Sequence, residues 1–188
     1  MRLISGTLRP TQVAWLPVLS YITPPNIRRK AACDKLLQAV EAHPDWPAYQ
    51  DFFNHPPLRL PSRKPIWFDS APTDAVSRWR ADWRSASVTN NHLISDPTIR
   101  LPGFDLSRSM WTMLNRFRTG QGRCAASLHK WHMASTDKCE CGDVQTMSHI
   151  VDTCPLFRFA DGDLSRLHSA DDCAIAWLQS AAVKALAN

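Results

Sequence analysis

A mostly α-helical fold, a bundle of short helices with Pro-rich connectors, is what this 188-residue sequence predicts. Apolar residues recur at three- and four-residue spacing in several windows, which is the pattern of one buried helix face. Fourteen prolines, scattered mostly through the first half, cut the chain into short helices joined by extended segments. No persuasive alternation of apolar and polar residues marks a strand, and no internal repeat or low-complexity tract occurs. With 44% apolar residues the chain can bury a core, and eight Trp against six Gly predict an aromatic-rich one.

The elements follow in order. After Thr23-Pro24-Pro25, where proline suits a first turn, Cys33, Leu36, Leu37 and Val40 recur at helical spacing, and this helix should stop near His43-Pro44. A short helix is expected from Trp46 to Phe53. The segment Asn54 to Ile66 is proline-rich and basic, and is expected to be an extended connector. Thr73 or Asp74 should start a helix with Val76, Trp79 and Trp83 on one face and Arg78, Arg80 and Arg84 around the other. Ser107 is a plausible N-cap for a helix carrying Met110, Trp111, Leu114 and Phe117 that stops at Gly120. A further short helix is expected over Ala125 to Trp131. The last, from about Asp171, should bury Cys173, Trp177, Leu178, Ala181 and Leu186, with Asp171 and Asp172 answering its dipole. Two regions are expected: 1–68 with the connector, and 69–188 with the C-terminal helix.

No run of about 18 apolar residues exists, so no membrane span is expected. The N-terminus lacks the apolar core and cleavage site of a secretory signal, so the chain is expected in the nucleus or cytoplasm rather than secreted. There, thiols stay reduced, and clustered cysteines are better read as metal ligands than as disulfides. The net charge of +5 is unevenly spread. Residues 100–132 hold six bases, Arg100, Arg108, Arg116, Arg118, Arg123 and Lys130, against Asp105 alone, while residues 133–188 hold four bases and eight acids. Such a basic stretch fits either a polyanion binder or a solvated helix face.

The strongest motif is Cys139-Glu140-Cys141-Gly142, then Thr146-Met147-Ser148-His149, then Cys154-Pro155. Three sulfurs and one imidazole complete a tetrahedral set for zinc and leave no position open, which means a structural rather than a hydrolytic site. Thr146 can cap a short helix carrying His149, and Gly142 lets the backbone turn around the ion without a Cβ penalty. The module spans about 137–156. His129, His132 and Cys124 are near enough in sequence to substitute, but packing or solvent accounts for them better. Lys138 stands alone against Asp137, Glu140, Asp143 and Asp152, so the module would repel phosphates. Nucleic-acid contacts are therefore expected on Arg116, Arg118, Arg123 and Lys130. The run Leu114 to Arg123 (LNRFRTGQGR) interleaves Arg, Gly and Phe in a way that suits phosphate forks and base stacking; the alternative is a helix C-terminus followed by a turn. No Walker, G-x-S-x-G or H-E-x-x-H motif is present, and Asp171-Asp172 is better explained as a helix N-terminus.

At these residues the chain resembles the C-terminal region of reverse transcriptases from non-LTR (LINE-type, jockey-like) retrotransposons. Met1 to Arg29 looks like the stretch after the polymerase thumb, and Leu60 to Trp67 (LPSRKPIW), Leu114 to Arg123 and Cys139 to Pro155 look like further family segments in the same order. The resemblance implies zinc on Cys139, Cys141, His149 and Cys154, RNA or DNA as partner, and an upstream reverse transcriptase domain in the parent polyprotein. The family's polymerising activity needs aspartates of a Y-x-D-D-type motif, which is absent, so no enzyme activity is expected of this chain. The start at Met1 is expected to reflect a truncated gene model, a decayed element or a fragment. The competing readings are a zinc-stabilised protein–protein scaffold and a non-functional remnant.

Overall fold

Prolines, left-handed turns and aspartate caps set where several helices of this chain begin and end. The computed structural model describes residues 1–53, 74–160 and 162–186. The expected connector over 54–66, the segment 60–67 and the expected boundary after residue 68 lie outside the described residues. The chain divides into two compact units, Thr23–Arg84 and Met1–Ile22 with Ser85–Asn188.

Within Thr23–Arg84, Pro25 opens α3 (Pro25–Ala42), whose fixed φ suits a first turn, and the helix ends at His43 ahead of Pro44. Ile27 and Val40 are buried but Leu36 is half exposed, so the expected apolar stripe is only partly a core face. α4 covers Ala48–Phe53. Ahead of α5 (Ala75–Ser85), the Asp74 carboxylate accepts the Val76 and Ser77 N–H groups at 3.1 and 3.2 Å, the N-cap expected there. Trp79 and Trp83 are buried as anticipated, whereas Val76 is exposed, because the buried face is narrow enough to be filled by the two indoles.

In the other unit, α1 (Arg2–Ser5) and α2 (Trp15–Ser20) flank a loop that the Arg2 guanidinium ties down through the carbonyls of Leu8 and Thr11. Trp15 is fully buried and its Nε1 donates to Thr89 O at 3.0 Å. The centre is α6 (Arg108–Thr119), ended by Gly120 in the left-handed conformation. Ser107 holds the N-cap position, but its hydroxyl pairs with Ser109 Oγ rather than with the helix N–H groups. Around α6 come α7 (Ala125–Lys130), α8 (Leu164–His168), α9 (Asp172–Trp177), a π-helical turn over Leu178–Ala182, and α10 (Val183–Ala185). Met110, Leu114 and Phe117 of α6 form one core with Ile150, Val151, Phe159, Leu167, Trp177 and Leu178. Trp177 packs on Phe117 and Phe159 with ring centroids 5.3 and 5.7 Å away. Asp171 caps α9 by accepting Ala174 N–H at 2.9 Å, in a register that turns Ala174 and Trp177 inward and leaves Cys173 exposed, contrary to its expected burial. The only β pairing among the described residues is an isolated bridge between Lys138 and Val144.

One charge lies at the heart of this unit. Arg118 is 0% exposed and has no carboxylate partner among the described residues. Its Nε donates to His168 Nδ1 at 2.9 Å, Nη1 to Asn115 Oδ1 at 3.1 Å, and Nη2 to the carbonyls of Pro102 (2.6 Å) and His168 (2.9 Å). The Trp111 ring lies 5.2 Å from its Cζ, a cation–π contact. Asn115, also fully buried, passes the network to Ser5 O at 3.0 Å. Burial lowers the Arg118 pKa to about 9, which still leaves it charged at neutral pH. His168 must stay neutral to accept, and burial together with the Arg118 charge lowers its pKa to about 4.

Two outcomes are expected. Arg118→Ala strands four acceptors and should lower stability by about 3 kcal/mol in urea denaturation; Arg118→Lys, which keeps the charge but not the planar fork, should recover less than half. Because the unfolded His168 takes a proton near 6.5 and the folded one only near 4, stability should fall as pH drops from 6.5 towards 4. His168→Gln, whose amide oxygen can accept the same Arg118 hydrogen, should flatten that part of the pH profile; an unchanged slope would assign the acid sensitivity elsewhere.

Candidate metal centre

The metal module begins with a tight turn. Gly142 N–H donates to Cys139 O at 2.9 Å and Cys139 N–H to Asp143 O at 2.7 Å, folding the chain back on itself between the two cysteines and the Lys138–Val144 bridge. Gly142 adopts φ 97°, and an added Cβ would meet nothing within 4 Å, so the requirement for glycine is one of backbone conformation rather than space. Thr146 Oγ1 then accepts His149 N–H at 3.0 Å, as its expected capping role requires. The turn over His149–Thr153 is π-wound, and Cys154 follows it in an extended conformation, its N–H bonded to His149 O at 2.8 Å.

These turns bring Cys139, Cys141, His149 and Cys154 together, with all four ligand atoms within 4.8 Å of one another. Cys139 Sγ and Cys154 Sγ are 3.7 Å apart, and Cys141 Sγ lies 3.2 Å from His149 Nε2. A tetrahedral centre with metal–sulfur bonds of about 2.3 Å spaces its sulfurs about 3.8 Å apart, whereas a disulfide would need about 2.05 Å. The four residues therefore form a Cys3His group that can hold a metal ion. Cys139, Cys154 and His149 are buried, and Cys141 is half-buried. Burial works against ionisation of Cys139, but hydrogen bonds from the Cys141 backbone and from the His149 and Cys154 side chains lower its pKa to about 7. Burial pushes the Cys154 thiol up, and the neighbouring Cys139 pushes it further.

The second layer of contacts contains residues that sequence reasoning missed. Thr153 Oγ1 sits 3.0 Å from His149 Nδ1 and holds the ring so that Nε2 faces the sulfurs. Gln145, 4% exposed, is the hub. Its Nε2 donates to Cys139 Sγ at 3.7 Å and to Ala185 O in α10 at 3.2 Å, and its Oε1 accepts Ala125 N–H at 2.8 Å. Its backbone adds Ala126 N–H to its carbonyl at 3.1 Å and Asp137 O to its N–H at 2.9 Å. One glutamine thus joins the ligand cluster, the start of α7 and the end of the chain. A second link is Gly122, where an added Cβ would lie 2.1 Å from Met147 Sδ, so the loop before α7 lies directly on the module.

The remaining candidates separate. Cys124 is buried, 3.3 Å from Ser127 Oγ, and outside the cluster; His129 and His132 are exposed. Arg123 and Lys130 are exposed and Arg116 is half-buried. The expectation of a nucleic-acid contact at Arg118 is corrected: its guanidinium is buried and four of its N–H groups are engaged inside the fold.

Gln145→Ala should weaken metal affinity by about 10–100-fold in competition with a chromophoric chelator, the usual effect of removing a group that orients a ligand. An unchanged affinity would reduce Gln145 to a packing residue. No family model matches this chain, and comparison with curated proteins and with solved structures found no match.

Proposed function

We propose that this chain is a zinc-stapled helical module that binds RNA or DNA, of the kind found downstream of the polymerase in non-LTR retrotransposon reverse transcriptases. The observation that carries the reading is the coupling of a closed Cys3His group to a basic, acid-free segment through Gln145 and the Gly122–Met147 contact. Three thiolates and an imidazole favour zinc among the divalent ions, and four protein ligands leave no site for substrate or activated water. The ion's contribution is structural, and the function lies in the surface it braces.

That surface is the stretch from Arg116 to Lys130. Between Asp105 and Asp137 the sequence holds no acidic residue, so Arg116, Arg123 and Lys130 lie in a stretch of purely positive formal charge. The module itself carries Asp137, Glu140, Asp143 and Asp152 beside its thiolates, which directs a phosphate backbone towards the basic stretch. The order of the family-like segments supports the same assignment, and the lack of a complete catalytic set supports a binding module over an enzyme. A tryptophan-based docking scaffold fits less well, because Trp15, Trp79, Trp83, Trp111 and Trp177 are buried and, among the described residues, Trp46 alone is exposed while Trp131 is half-buried.

Purified protein should carry one zinc per chain, and cobalt substitution should give the intense visible bands of a tetrahedral, sulfur-rich site, lost on Cys154→Ala. Zinc-loaded protein titrated into labelled single-stranded RNA and DNA should bind with an affinity that falls with salt, at a log–log slope of about −2 for three phosphate contacts. The triple variant Arg116→Ala/Arg123→Ala/Lys130→Ala should lose this binding while keeping its zinc. Absence of binding at low salt by folded, metallated protein would sink the nucleic-acid reading.

A further inference from the structure

One tryptophan of the larger unit lacks the partners that hold others in place. Trp15 and Trp177 are buried and donate their indole N–H groups to Thr89 O and Phe157 O at 3.0 and 2.8 Å. Trp131 is half-buried, and its indole has no hydrogen-bond or aromatic partner among the described residues. Its backbone is nevertheless fixed. It stands at the C-cap of α7, where its N–H donates to Ser127 O at 3.0 Å, and beyond the left-handed His132 the Met133 N–H returns to Leu128 O at 2.8 Å. Leu8, Arg9 and Pro10, from the loop after α1, line with Trp131 one open cavity of about 590 Å³. That volume falls within the ~300–1,000 Å³ of small-ligand sites. The loop is fixed too, since Arg2 holds the Leu8 and Thr11 carbonyls and Thr11 N–H donates to Leu8 O at 3.1 Å. Arg9 is exposed, and its guanidinium has no partner among the described residues.

We propose that this cavity seats one nucleotide of a single-stranded RNA or DNA chain, its base stacked on the Trp131 indole and its phosphate on the Arg9 guanidinium. Every base has a π-face, so an aromatic platform with a cation beside it takes single strands with little regard to sequence. A guanidinium fork matches phosphate oxygens in the same way. Charge complementarity selects this occupant over an apolar protein segment. The sequence holds no acid before Asp34 and none between Asp105 and Asp137, so both chain segments that build the cavity lack acidic side chains, and Lys130 beside Trp131 is exposed. The site rests on the nucleic-acid reading and deepens it, adding a base contact to the phosphate contacts of Arg116, Arg123 and Lys130.

The test uses the full, zinc-loaded chain at low salt. Labelled oligo(dT), oligo(U) and an abasic deoxyribose-phosphate oligomer of the same length are titrated by anisotropy. In parallel, ¹H–¹⁵N NMR follows the Trp131 indole N–H resonance, assigned by its loss in Trp131→Phe. Oligo(dT) and oligo(U) should shift that resonance saturably. Trp131→Ala should weaken both about ten-fold, and Trp131→Phe, which keeps an aromatic face, should recover most of the loss. Neither variant should alter the affinity for the abasic oligomer, which has phosphates but no bases to stack. Arg9→Gln should lower the log–log salt slope by about one. The resonance is read on the unaltered chain, so that outcome stands even where Trp131→Ala does not fold. If the oligonucleotides bind but the resonance is unmoved, or Trp131→Ala weakens the abasic oligomer equally, this site fails and the nucleic-acid reading stands. Absence of oligonucleotide binding removes both. A dimer that Trp131→Ala dissociates, seen by sizing, would place a second copy in the cavity and overturn the proposal.

Discussion

The buried Arg118 guanidinium is the constraint on which the larger unit depends. A cation taken out of water must recover its solvation from fixed dipoles, and this one does so without a carboxylate among the described residues. Its acceptors come from the segment before α6, from α6 itself and from the end of α8, so the charge can be satisfied only when these three are assembled together. Asn115 extends the requirement to Ser5 at the N-terminal end. Apolar packing around Phe117 and Trp177 supplies bulk cohesion, but such packing tolerates alternatives. The demand for four oriented acceptors does not, and it specifies one arrangement of the surrounding elements.

The metal module is braced against this core rather than appended to it. Met147, Ile150 and Val151 belong to the same apolar cluster as Phe117 and Trp177, and lie in sequence between the ligands Cys141 and Cys154. Gln145 turns that proximity into a mechanical link, since the amide that touches Cys139 also holds α7 and α10. Ligand geometry, loop position and the basic stretch are therefore coupled, and a disturbance at one is felt at the others. The division of labour follows from charge as well: an acidic module next to a cationic segment sets where an anion can approach.

How much of this was legible in the sequence depends on how far apart the partners lie. The four ligands fall within one short stretch, and residue type and spacing alone were enough to group them. Of the helices in the second half, α6, α7 and the start of α9 were likewise readable, because Gly120, Asp171 and the apolar spacing act locally, whereas α8 was not anticipated. Gln145 gave no signal: its partners Ala125 and Ala185 are 20 and 40 residues away, and each contributes only a backbone group. Arg118 was misread for the same reason. In composition it matches Arg116 and Arg123, and its bonds to Asn115, to Pro102 and to His168, 50 residues on, distinguish a core cation from a surface one. Cys173 and Val76 were placed on buried faces because a helical pattern gives the period of a stripe and not its width.

The ligand cluster also has a bearing on the order in which the chain assembles. Its widest span, from Cys139 to Cys154, is 15 residues, against 50 for Arg118 to His168 and 110 for Asn115 to Ser5. Closing the short loop costs the least chain entropy of the three. Once residue 154 has left the ribosome every ligand is exposed, while α8, α9 and α10 have yet to emerge. A metal ion on these four residues would thus be captured before Ala185 emerges to receive Gln145, and would act as a seed for the elements that follow.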